Sequence, residues 1–285
     1  MAAVRESVPS YQDFFKTLPI KAQALRQEVE EAPYRDRIGV LNHKILPPSL
    51  INLFYWMDLY HEKLGKHGTI CSFLGEIIVN KLRDEEDERQ LKPRLNLQQE
   101  IGIVGGAAIH ELGQLTYDKQ MIEQRRKGSN HDTTKTVLAY PAVGSFIFWE
   151  NFSAVPEEMS TKKMITAAIL YHNIKHGSVK DIVFDKIRLG ELISNLPLIT
   201  QAKYRKVATI VALIDKAVTF LENNKEDPRV DPTEKLRRVL NKKITQIINH
   251  FSRFNDFNEE EKKLYFRVKN CILSVRRMIY NLITT

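Results

Sequence analysis

Residues 231–251 read DPTEKLRRVLNKKITQIINHF, and this stretch decides the fold class. Asp231 supplies a capping side chain, Pro232 takes the first helical position, and Glu234 follows as a carboxylate at N3, so the orphan backbone donors of a helix start have partners. Leu236, Val239, Leu240, Ile244, Ile247, Ile248 and Phe251 then gather on one side at about 100° per residue, with Lys235, Arg238 and Lys242 on the other. An amphipathic helix with a basic outer stripe follows. After Asn255-Asp256, the run Glu259, Glu260, Glu261 suits the positive end of a second helix dipole, and Arg276 and Arg277 suit its negative end. Leu264, Val268, Cys271, Ile272, Val275, Ile279 and Leu282 form the apolar stripe of that helix. The spacing predicts a helical hairpin.

Upstream the same period recurs. Ser49 follows Pro47-Pro48 as a cap for a run through Leu53, Phe54, Trp56, Met57, Tyr60 and Leu64, predicted to stop at Gly65. A second helix is expected over 69–82, leading into the charged run RDEEDER at 83–89, which reads as an exposed connection. Asn96 and Gln99 suggest a capping box before Ile101, Val104, Ala108 and Leu112; further helices are expected over 161–176 and 200–221. Residues 137–152, rich in β-branched and aromatic side chains and broken by Pro141 and Gly144, are where a short β element would fit. The expected fold is mainly α, a multi-helix bundle-like globule with room for two helical lobes and at most one short β element near 137–152. The expected division is a helical main domain over 1–222, a linker over 223–232 rich in polar residues and proline, and a basic helical hairpin over 233–285.

Composition narrows the function. The chain has 285 residues, 43% hydrophobic, with 43 Lys plus Arg against 35 Asp plus Glu, a net charge of +8. Residues 233–285 alone hold 12 basic and 5 acidic side chains, so most of the excess sits on the hairpin and favours a polyanionic partner. Two distant cysteines, Cys71 and Cys271, argue against a disulfide framework, a zinc ribbon or an iron–sulfur cluster. The N-terminus, MAAVRESVPSYQDFF, lacks an apolar signal core, and no stretch approaches the ~18 apolar residues of a membrane span. The expectation is an intracellular protein, cytoplasmic or nuclear, with no transmembrane insertion.

No motif forces one chemistry. GIVGGA at 102–107 lacks both common phosphate-loop spacings, and Gly102 and Gly106, four apart, read as a close helix contact. His172 and His176 share a helix face at metal-ligand spacing but align with Ile165, Ala168 and Ile169, which reads as core or interface. His131-Asp132, with His110 before it and Asp181 after it, resembles the ligand order of HD-type phosphohydrolases, an all-helical family whose ligands run His, then His-Asp, then a later Asp. That family carries the His-Asp pair on an apolar helix; here it lies in the polar loop GSNHDTTKT.

The reading preferred from sequence is single-stranded nucleic-acid binding, RNA above all, by electrostatics and without bond chemistry. The candidate contacts are Arg125, Arg126, Lys127 and Lys135 before the aromatic group Tyr140, Phe146, Phe148, Trp149 and Phe152, together with Lys235, Arg238, Lys242, Arg276 and Arg277 on the hairpin. In size, helix content and charge the chain is similar to helical nucleocapsid proteins of segmented negative-strand RNA viruses. The resemblance implies coating of a genome and self-association through terminal arms; no family residue is carried over. A helical adaptor or scaffold on a protein or acidic membrane surface is the alternative, and a metal-dependent phosphohydrolase the third. The sequence assigns no catalytic residue, metal ligand or cofactor.

Overall fold

The capping box read at Asn96 and Gln99 forms: Asn96 Oδ1 accepts from the Gln99 N–H and Gln99 Oε1 from the Asn96 N–H, both at 2.9 Å. In the computed structural model, which describes residues 48–88, 94–116, 120, 122, 135–152, 158–172, 183–184, 187–188, 199–224 and 233–284, the helix it starts is the third of eight. These are α1 (Pro48–Tyr60), α2 (Glu62–Glu88), α3 (Leu97–Ile109), α4 (Lys135–Asn151), α5 (Met159–Tyr171), α6 (Ala202–Asn223), α7 (Thr233–Phe251) and α8 (Glu259–Thr284). A 3-10 turn, Leu112–Thr116, follows α3, and Val183–Phe184 (β1) pairs antiparallel with Ile187–Arg188 (β2). The chain is mainly α, and no helix among the described residues is long and apolar enough to cross a membrane.

Three local expectations are corrected. The first helix stops at Tyr60, and Gly65 lies inside α2, where a Cβ would overlap the Asp58 side chain; glycine lets α1 and α2 fold back closely. The charged run 83–88 continues α2 instead of leaving it. Three of its charged residues have partners: Arg83 pairs with Glu100, Glu85 with Arg267 at 2.6 Å, and Glu86 accepts from the Arg94 N–H at 3.1 Å. Residues 137–151, the place considered for a β element, are helical through Pro141. Tyr140 to Phe148 are buried all round, and a segment with no solvated face shows no amphipathic period to betray its helix.

α6 is the central element. It packs against α2, α3, α5, α7 and α8, and its side chains from Val207 to Ile214 are buried. α3 reaches α5 through the two expected glycines: a Cβ on Gly102 would lie 2.6 Å from Met164 Cβ, and one on Gly106 would overlap Ala168 Cβ.

The hairpin forms as read. Leu236, Leu240, Ile244, Ile247 and Phe251 on α7 and Leu264, Val268, Cys271, Ile272 and Ile279 on α8 are buried in the hydrophobic cluster that also holds the core of α1 to α6. At its end Ile283 is buried, whereas Leu282 is 37% exposed. Residues 225–232 of the expected linker lie outside the described residues. Glu261, expected to serve the α8 dipole, is 2% exposed and instead accepts from Nε and Nη2, one edge of the guanidinium of the fully buried Arg205, at 2.7 and 2.8 Å. Asn258 Oδ1 caps α8 in its place, accepting from the Glu261 N–H at 3.0 Å.

Candidate metal centre

Residues four and seven apart share a helix face, and two such faces meet at the middle of the bundle. α2 brings His67 and Cys71; α6 brings Asp215, Thr219 and Glu222; His110, the C-cap of α3, completes the group. Gly68 lets α2 come in, since a Cβ there would overlap the Ala108 carbonyl oxygen, and Ser72 Oγ donates to Val104 O at 3.0 Å beside it. Gly113 does the same for the 3-10 turn against α4, where its Cβ would overlap the Tyr140 carbonyl oxygen. His67, His110 and His172 are each 1% exposed and Cys71 is fully buried.

The hydrogen bonds fix the imidazoles. His110 Nδ1 donates to Ala107 O at 2.8 Å, which turns its Nε2 into the cluster; that buried atom makes no hydrogen bond among the described residues and lies 3.5 Å from Asp215 Oδ1. His67 Nδ1 faces Glu222 Oε2 at 3.1 Å, which turns its Nε2 toward Cys71 Sγ at 3.5 Å and Asp215 Oδ1 at 3.4 Å. A ligating histidine is commonly held in this way, by a carboxylate or carbonyl on its far nitrogen. Thr219 Oγ1 donates to Asp215 Oδ1 at 3.1 Å and orients the carboxylate. The donor atoms of His67, Cys71 and His110 lie within 4.8 Å of one another.

The charges are coupled. Burial works against a charged His67, but Cys71, Glu111 and Glu222 together with the bond to Asp215 outweigh it and carry the imidazole well above its ordinary range. Burial would raise the Asp215 carboxyl, yet the His110 and His67 imidazoles hold it well below. Burial lifts the Cys71 thiol to about 11. Burial and these contacts thus hold His67 and Asp215 as a charged pair. Beside it His172 is different: burial, with His110 next to it, lowers its imidazole to about 3. It is neutral, with Nδ1 donating to Ile169 O at 2.7 Å and Nε2 accepting from Tyr140 Oη at 2.8 Å.

The residues singled out from sequence fare unequally. His110 joins the cluster, and His172 packs on it with ring centroids 4.9 Å apart. His131, Asp132, His176 and Asp181 lie outside the described residues, as do Arg125, Arg126 and Lys127; Lys135 is the first residue of α4. Tyr140, Phe146, Phe148 and Phe152 are buried and cannot stack on bases. On the hairpin Lys235, Arg238, Lys242 and Arg277 are exposed and Arg276 is half-buried. Arg238 shares Glu234 with Arg237, both at 3.3 Å, and Arg276 donates to Leu273 O at 2.8 Å. Asn241 and Lys269 join α7 to α8 at 3.0 Å.

Sequence reasoning missed His67, Cys71, Asp215 and Glu222. A signal was there: Asp215 is a lone acid in the apolar run VALIDKAV, and His67 and Cys71 stand at i, i+4. No protein-family model, curated protein or solved structure matches the chain.

Proposed function

We propose that the chain is a metal-dependent phosphohydrolase of the HD kind, built on His67, His110 and Asp215. The observation that supports it is the convergence of two imidazole Nε2 atoms, each ring fixed through its other nitrogen, upon one oriented carboxylate oxygen at 3.4 and 3.5 Å. The order along the chain also fits: His67, then His110-Glu111 at the end of the apolar helix α3, then Asp215. Here the His-acid pair has the setting that the loop pair His131-Asp132 lacks. Glu111 stands where the HD pattern has Asp, one methylene longer, with its Oε1 accepting from Gln114 Nε2. Held by His67, His110 and Asp215, a divalent ion would supply Lewis acidity to a phosphoryl oxygen and would make water more acidic. The protein's share is to orient the donors through Ala107 O, Glu222 and Thr219. The test is elemental analysis of the purified full chain together with turnover of a nitrophenyl phosphoester. A stoichiometric divalent ion and metal-dependent turnover are expected in the wild type and lost in His110→Ala. A folded chain that neither carries nor takes up an ion refutes the reading.

A second reading keeps the hairpin as a surface for single-stranded RNA or a similar polyanion. What favours it is that Lys235, Lys242 and Arg277 are exposed and make no ion pair among the described residues, while Glu234, Asp256, Glu259, Glu260 and Glu261 all have cationic partners. RNA binding that weakens with salt is expected, and reversing Lys235, Lys242 and Arg277 to Glu should weaken it further while thermal stability stays as it was. Unchanged RNA affinity in that triple variant would place the binding surface elsewhere.

A further inference from the structure

We propose that Cys71 Sγ is the fourth donor of the centre, so that the site takes a thiophilic ion of the zinc class and not a hard one such as magnesium or manganese. The inference rests on the metal reading above and deepens it, since His67, His110 and Asp215 alone do not choose between these ions. Bond lengths of about 2.0–2.1 Å for Zn–N, 2.3 Å for Zn–S and 2.0–2.2 Å for Zn–O give a tetrahedron with donor–donor edges of roughly 3.3–3.6 Å. Three of its six edges match: His67 Nε2 to Cys71 Sγ at 3.5 Å, His67 Nε2 to Asp215 Oδ1 at 3.4 Å and His110 Nε2 to Asp215 Oδ1 at 3.5 Å; the group of donors within 4.8 Å of one another is His67, Cys71 and His110, and Asp215 joins it through the two imidazoles. The thiol does not stand alone: the buried, hydrogen-bond-free Nε2 of His110 belongs to the same group. The donors come from α2, α3 and α6. With four protein donors the sphere would have no open position, so a water or phosphoryl oxygen would have to bind as a fifth ligand, an expansion that zinc tolerates.

Cobalt substitution in the full chain tests this, because a cysteine thiolate bound to Co(II) gives a charge-transfer band in the near ultraviolet that nitrogen and oxygen ligands do not. Growth on cobalt in place of zinc avoids the need for a stable metal-free protein. The chain has only two cysteines, and Cys271, buried on α8, serves as the control. The expected result is the band in wild type and in Cys271→Ser, and its loss in Cys71→Ser with cobalt still bound. Stoichiometric cobalt without the band in wild type overturns the inference and leaves the metal centre standing, with Cys71 only a hydrogen-bond donor to His67. Absence of cobalt from wild type overturns both.

Discussion

Replacing Arg205 by alanine is expected to lower the free energy of unfolding by about 3–5 kcal/mol, the cost of leaving a buried charge without its partner. Arg205 is fully buried near the start of α6. Its Nε and Nη2 donate to the two oxygens of Glu261, and Nη1 donates to Asp256 Oδ1 at 3.1 Å and to Thr200 O at 2.9 Å. Phe251, Phe254 and Phe257 surround the guanidinium with ring centroids 5.5 to 5.6 Å away, so water is kept off and the pairing is strong. Apart from Thr200, these partners lie on the turn between α7 and α8 or on the helix ends that flank it, which makes Arg205 the pin that fastens the hairpin to α6. Glu261→Gln should lose a comparable amount, and Arg205→Lys should recover little, because an ammonium cannot grip both carboxylate oxygens in one plane. Urea unfolding at constant slope measures the loss. A drop below about 1 kcal/mol, the worth of an exposed pair, would show that the network is not what holds the turn.

Supplying zinc is expected to stabilise the protein almost as strongly: a free ion at a thousand times its dissociation constant adds about 4 kcal/mol. The ion must bind the folded chain alone for this to hold. His67 and Glu222 are 155 positions apart, and the unfolded chain does not bring them together. Glu222→Gln should weaken metal binding by about 10–100-fold through the His67 imidazole it orients. His110→Ala should remove the zinc-dependent part of the stability altogether. Urea midpoints in zinc and in chelator compare the two; coincident midpoints in wild type would mean that the carboxylate and imidazoles are balanced by a proton alone.

Much of the fold is legible in local patterns. The capping box at Asn96, the paired glycines of α3 and the apolar stripes of α7 and α8 are read correctly because each depends on neighbours within a turn or two. Gly65 misleads, because glycine serves equally as a helix stop and as a place for a second helix to approach, and only Asp58 across the contact tells which. The run 83–88 misleads as well: exposed charge is the ordinary explanation until Arg94, Glu100 and Arg267, distant in sequence, supply partners.

The candidate site was less legible. A histidine at the end of an apolar helix and a lone aspartate in another are each unremarkable alone, and the basic clusters drew the functional reading toward charge that the fold in part neutralises, as at Arg238.

The sequence by itself determined that the chain is helical and where most helices run, the amphipathic pair over 233–284 among them, since period and caps are properties of adjacent residues. Tertiary structure alone decided which polar groups meet. Whether Asp215 faces His67 and His110, or Arg205 meets Glu261, depends on how helices cross and how far glycine lets them approach, and a difference of an ångström or two there separates a ligand set from three unrelated side chains.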